Sequence, residues 1–223
     1  MSFFQSTVGK KIVMAVTGLI GIGFVIAHMA GNLQAFEGSD KLNGYAAALH
    51  GPLHEIVLLL RVVLIVAVVL HVWAAWSLTQ RAHAARPIGY TNREPQVSTL
   101  ASRTMRWGGV LLLAFIVLHI LHFTTRTIDP AGWGHVKDTA GRFDLFGDVV
   151  GSFRLWWVTL IYEIAMLFLG LHLYHGAWAS LRTLGYAKPG THPLKRQIAL
   201  IVSLVIAVGF ALVPAAVFVG IIR

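Results

Sequence analysis

The chain reads as an all-α membrane protein, one five-helix transmembrane bundle occupying residues 1–223, on three observations. Hydrophobic residues make up 57% of it and charged residues 12%, a balance outside the usual range of soluble domains. Five apolar runs reach the length of about 20 residues that a membrane-spanning helix needs. Four of them carry histidine at depth, and an ionisable group inside a membrane helix is a pointer to function.

The first span, residues 11–36, follows Lys10 and Lys11. Its apolar run exceeds the hydrophobic region of a signal peptide and lacks a small-residue cleavage site, so it reads as a retained helix. Gly18, Gly21 and Gly23 precede His28 and permit close approach by a backbone or a flat cofactor. Residues 38–55 form a polar connection with some short helical content, broken at Gly51 and Pro52. The second span, 56–80, has Arg61 near its start and His71 deeper in; a basic loop with Pro87, Gly89 and Pro95 follows over 81–103.

The third span, 106–126, is bracketed by Arg106 and Arg126 and holds His119 and His122. Residues 127–154 read as a partly ordered surface loop, long enough to cap a site. The fourth span, 155–181, carries Glu163, His172 and His175, with Trp156, Trp157 and Trp178 near its ends as interfacial anchors. The fifth, 197–222, contains no histidine or charge, and Pro214 is placed to kink it.

Charge fixes the expected orientation. The segments on the N-terminal side hold eleven lysines and arginines against one acid, Glu94, whereas the opposite segments hold six against seven acids. The positive-inside rule then puts the N-terminus in the cytoplasm and the C-terminus outside. The net charge of +9 suits an anionic leaflet and an acidic protein partner, and no nucleic-acid motif accompanies it. Cysteine is absent, which excludes disulfides, thiolate-held iron–sulfur clusters and cysteine-anchored haem on this chain. A metal here must use histidine, carboxylate or methionine.

Orientation turns sequence position into depth. His71 and His172 each precede an inner-boundary arginine, Arg81 and Arg182, by ten residues, which places both roughly 15 Å from that edge at 1.5 Å per residue. His28 and His119 fall together at roughly 10–14 Å from the outer edge. Two imidazoles at one depth on two helices of a bundle match the axial ligation of a haem iron, because neutral imidazole is a strong donor that costs little to bury. Two such pairs imply two b-type haems stacked across the membrane. A lone histidine of this kind more often only hydrogen-bonds to a neighbouring helix; the pairing favours haem.

His122 and His175 lie three residues beyond His119 and His172, partly on the same faces, and read as supporting donors, propionate partners or quinone-site residues. Two intramembrane charges remain, Arg61 and Glu163. They form a mutual salt bridge, or Arg61 meets a haem propionate and Glu163 lies on a proton route.

Three stretches carry a family resemblance: AVTGLIGIGFVIAH ending at His28, RWGGVLLLAFIVLH ending at His119, and GLHLYHGAW around His172. In this order, over nearly the whole chain, they resemble the dihaem cytochrome b anchor subunit of succinate:quinone oxidoreductases and fumarate reductases. The resemblance implies that the first and third helices hold the outer haem through His28 and His119, and the second and fourth hold the inner one through His71 and His172. It prefers His172 to His175, since the family's ligand stands four residues before the glycine, here Gly176. It further implies a flavoprotein with FAD and an iron–sulfur protein docked on the cytoplasmic face of a prokaryotic inner membrane, with electrons passing to menaquinone or ubiquinone. A glutamate that some dihaem fumarate reductases place two residues before the fourth-helix ligand is replaced by Gly170, so that proton route is not expected. Glu55, with His50 and His54, stands nearest to an outer quinone entrance. The other functional classes open to four membrane histidines are the cytochrome b subunit of a hydrogenase or nitrate reductase and a cofactor-free proton relay or transporter.

Overall fold

The computed structural model describes residues 2–85, 98–188, 190 and 192–223. The helices are α1 (Thr7–Leu33), α2 (Ser39–His50), α3 (His54–Ala84), α4 (Leu100–His119), α5 (Leu145–Phe153), α6 (Trp156–Thr183) and α7 (His192–Phe218). A short 3-10 turn, Gln34–Glu37, prolongs α1, and a π-helical turn, Ile120–Thr124, prolongs α4. Five helices, α1, α3, α4 with its π turn, α6 and α7, are long and apolar enough to cross a membrane. Among the described residues there is no strand, only an isolated bridge between Lys137 and Phe143.

Several spans reach beyond their apolar runs. α3 continues to Ala84, α4 begins at Leu100 and α7 at His192, because helical hydrogen bonding stops at a cap and not where hydropathy falls. At Thr99 a capping box starts α4: its hydroxyl accepts from Ser102 N at 3.2 Å while Ser102 Oγ accepts from Thr99 N at 3.0 Å. Ser6 caps α1 by accepting from Gly9 N at 2.9 Å. The centre of the expected basic loop, with Arg86, Pro87, Gly89, Arg93, Glu94 and Pro95, lies outside the described residues.

Alternating chain direction gives the bundle two ends. The basic end gathers the starts of α1, α4 and α7 and the finishes of α3 and α6; the capped end carries α2 and α5. α1 and α6 touch each other at the centre, α3 leans on α1, α4 on α6, and α7 closes the bundle against α6 and α1. Large apolar side chains such as Leu59, Val69, Val110 and Leu167 point outwards, as they do where the solvent is lipid.

Of the segment expected as a partly ordered surface loop over 127–154, residues 127–144 form an irregular, mostly exposed or half-buried connection as expected, whereas the stretch after them folds as α5 and enters the core. Val149, Val150 and Phe153 of α5 are buried in a cluster with Leu42, Val158, Tyr162, Val213 and Val217. Gly147 and Gly151 make this possible, since a Cβ at either would stand 2.4 to 2.7 Å from the Trp133 ring that lies across the helix. Nine residues are too few for a periodicity to stand out, so the apolar stripe of α5 is easily read as loop.

Polar bonds tie α2 to α5. Asn43, fully buried, donates to Asp144 Oδ1 at 2.9 Å and accepts from Phe146 N at 2.9 Å, while Asp144 itself caps α5 by accepting from Gly147 N at 3.0 Å. Arg142 joins the two layers through Asp40 at 2.7 Å and Asp138 at 2.8 Å. Asn43→Ala leaves buried partners unpaired and should cost about 1–3 kcal/mol, read as a lowered thermal midpoint of the purified protein in detergent.

Candidate functional site

Four histidines meet in two pairs. His28 of α1 and His119 of α4 have ring centroids 5.8 Å apart near the capped end; His71 of α3 and His172 of α6 stand 6.1 Å apart towards the basic end. The two levels are separated along α1 by the distance from Thr17, which touches His71, to His28, about 16 Å at 1.5 Å per residue.

Each of the central helices serves both levels. α1 supplies His28 to the capped-end pair and Thr17 to the other, where Thr17 Oγ1 lies 3.1 Å from His71 Nδ1. The Thr17 hydroxyl donates to Val13 O at 2.7 Å, so towards His71 its oxygen accepts, which puts the imidazole proton on Nδ1 and leaves Nε2 with its lone pair. α6 mirrors this arrangement. It supplies His172 to the basic-end pair and Tyr162 to the other, with Tyr162 Oη 3.3 Å from His119 Nδ1. Asn32 donates to His28 O at 2.8 Å and also reaches His28 Nε2 at 3.4 Å, the outer limit of a hydrogen bond.

Among the described residues no three His, Cys, Asp or Glu side chains converge as a bare metal ion requires. Two imidazoles per level suit instead a metal that brings its own equatorial ligands. A metal–imidazole bond of about 2 Å on each side, with the ring centre about 1 Å beyond the nitrogen, calls for centroids about 6 Å apart, which both pairs meet. A proton held at Nδ1 by a partner is the usual companion of a metal on Nε2. A Cβ added at Gly18 would stand 3.4 Å from the His71 ring, and one added at Gly21 or Gly23 would meet no other part of the bundle within 4 Å. An apolar cleft of about 410 Å³ opens between α3 and α4 at the level of His71, lined by Val68, Val69, Val72, Trp73, Trp76 and Leu113. The ring spacing at both levels, with Nδ1 partnered on one ring of each pair, His71 and His119, suits a haem, which if bound would supply one-electron transfer at an iron held by two imidazoles.

The remaining histidines differ. His122 is 4% exposed and uses both ring nitrogens on the protein, Nδ1 at 2.9 Å from Tyr162 Oη and Nε2 at 3.0 Å from Ser152 Oγ. The π turn aims it there, away from His28. His175 is half-buried, one turn beyond His172 and outside the pair. The expected salt bridge does not form: among the described residues no ion pair joins Arg61 to Glu163. Arg61 is exposed on α3, which leans on α1 and not on α6, while Glu163 Oε1 is buried without a hydrogen-bond partner. Glu55, His50 and His54 are exposed at the capped-end hairpin between α2 and α3 and do not line the cleft.

Thr17, Tyr162, Ser152 and Asp148 belong to the site although the sequence reading did not single them out. The available signal was spacing: Thr17 stands eleven residues before His28 and Tyr162 ten before His172, so each polar group lies on its helix at the level of the other pair. Asp148 is 1% exposed, and burial pushes its carboxyl up to about 6, with the charge of Asp129 adding and that of Arg126 opposing. Asp129, against some desolvation, is held below the usual range by the Gly134 and Trp133 amides.

Fold and geometry together define a five-helix membrane protein with two stacked histidine pairs. No family model matches the chain, and neither a curated protein nor a solved structure matches it. Because the Asp148 carboxyl is raised in the folded state, folding favours its protonated form, and its contribution to stability is present at low pH and lost as pH rises through about 6. Asp148→Asn should accordingly raise the thermal midpoint at neutral pH, with the gain over wild type shrinking as the pH is lowered towards 4.

Proposed function

We propose that this chain is the membrane-anchor subunit of a succinate:quinone oxidoreductase. In this reading it holds one b-type haem between His28 and His119 and a second between His71 and His172, binds quinone, and carries electrons to it from an iron–sulfur subunit. The observation that carries the proposal is the spacing of both ring pairs, 5.8 and 6.1 Å, on two levels of one bundle. The sequence resemblance of the three histidine-bearing stretches adds the enzyme class.

The rest follows from the charge distribution. With the basic end in the cytoplasm of a prokaryote, the flavoprotein and iron–sulfur partners dock there, beside Lys11, Arg103 and Arg182, and the capped end faces outwards. Arg61 stands ten residues from His71 along α3, about 15 Å and so near the level of the outer pair, where its guanidinium suits a propionate. Exposed Glu55, His50 and His54 mark the quinone entrance on that side. The dicarboxylate chemistry belongs to the flavoprotein.

Single-ligand variants test the assignment through reduced-minus-oxidised spectra of the purified protein. His28→Ala or His119→Ala should remove one b-type component and keep the other, and His71→Ala or His172→Ala should do the converse. Two components in His119→Ala with loss in His122→Ala would reassign the ligand. Thr17→Val, which releases His71 Nδ1 without touching a ligand, should weaken retention of the basic-end haem about 10- to 100-fold in a haem-transfer assay, leaving the other in place.

A further inference from the structure

A hydrogen-bonded chain leads from the capped-end pair to a buried carboxyl in the cap. His119 Nδ1 lies 3.3 Å from Tyr162 Oη, Tyr162 Oη 2.9 Å from His122 Nδ1, and His122 Nε2 3.0 Å from Ser152 Oγ; the Ser152 hydroxyl donates to Asp148 Oδ1 at 3.4 Å. Its protons can be placed one by one. Ser152 has a single O–H, directed at Asp148, so towards His122 its oxygen accepts from Nε2–H. A neutral His122 then has a bare Nδ1, which accepts from the Tyr162 O–H, and the Tyr162 oxygen accepts from His119 Nδ1–H. Every donor points the same way, from His119 to Asp148, and His119 Nε2 keeps its lone pair.

The far end of this chain is suited to exchange a proton. Asp148 Oδ2 is buried and has no hydrogen-bond partner, which leaves an oxygen on which a proton can reside. Arg126 and Asp129 face the carboxyl from the segment beyond the π turn, Asp144 from the cap of its own helix, and Tyr162 from the bundle, while His122 reaches it through Ser152. α2 turns the neutral Asn43 to the start of α5, its Asp40 being paired with Arg142, and α7 has no ionisable residue from Gln197 to Phe218. The Arg126 guanidinium lies over the Phe143 ring, 3.3 Å from its centre, and makes no hydrogen bond through Nε. The titration of Asp148 near pH 6 falls within the range a cell can use.

We propose that Asp148 is the proton-exchange site of the capped-end pair: it takes up one proton when one electron enters an iron held by His28 and His119, and releases it when the electron leaves. The inference rests on the haem reading. The electron comes from a quinol or an iron–sulfur partner and turns ferric iron to ferrous; the proton comes from the aqueous side and turns the Asp148 carboxylate to a carboxyl. The net charge of the site is unchanged. Ionised Asp148 draws the ordered hydrogen bonds towards itself and, through them, leaves more electron density on His119, which favours ferric iron; protonation relaxes this pull. The carboxyl pKa is therefore higher in the reduced site than in the oxidised one. Between the two values the reduction potential falls as pH rises, the reduction equilibrium shifting by up to about tenfold per pH unit.

The test is a spectroscopic redox titration of the holo-complex from about pH 5 to about pH 8, a range centred near the titration of Asp148, with dithionite as reductant and ferricyanide as oxidant. The capped-end component is identified as the one that survives in His71→Ala. In wild type its potential should fall with pH; in Asp148→Asn and in Tyr162→Phe that slope should flatten, while the basic-end component keeps its wild-type behaviour. If one variant fails to fold, the other decides. A wild-type potential independent of pH, or a slope unchanged in a haem-loaded variant, overturns the role of Asp148 alone. Protein that binds no haem overturns the haem reading and this inference with it.

Discussion

Two imidazole rings about 6 Å apart, repeated at two levels, set the terms on which four of the five long helices can pack. At this distance the backbones of α1 and α4, and of α3 and α6, are held by more than the ring pairs themselves. The holding is done crosswise. α1 presents His28 at one level and steadies His71 at the other through Thr17; α6 presents His172 and steadies His119 through Tyr162. Neither level can therefore be displaced along the bundle without disturbing the other. In the proposed reading this coupling keeps two electron-transfer sites at a fixed separation, with imidazole orientation set before any cofactor arrives.

The cap completes the capped-end level and gives it properties the other level lacks. α5 is driven inward by Val149, Val150 and Phe153, and this burial carries Ser152 and Asp148 with it to the outer side of His122. A carboxyl so placed costs stability when ionised, and a cost retained in a site is a reason to look for use. At the basic end His172 Nδ1 has no hydrogen-bond partner and Thr17 is the sole side chain that bonds to a ring nitrogen of that pair among the described residues. The two levels thus differ in polarity.

Much of this was legible in the sequence because a helix is a rigid ruler. Charged residues mark where each span leaves the apolar region, and counting from them brings His28 level with His119 and His71 level with His172, the pairs that the structure brings together. Thr17 and Tyr162 escaped the same count because a lone hydroxyl in an apolar helix has a bland explanation, back-bonding to the preceding turn, and Thr17 does make that bond to Val13. The cap is hidden for a different reason: a nine-residue helix with glycines at 147 and 151, Asp144 before it and Asp148 within it has the composition of a loop, and the Trp133 ring lying over those glycines reveals its packing. Arg61 and Glu163 looked like a pair by depth alone. Depth does not tell which helices are neighbours, and α3 and α6 approach each other chiefly through α1.

The measurement that bears most directly on the account is the haem content of the purified chain, determined by pyridine haemochrome against protein concentration. The two-level geometry predicts two b-type haems per chain. One haem per chain would contradict the equivalence of the pairs, and none would show that the four histidines serve the bundle through hydrogen bonding alone.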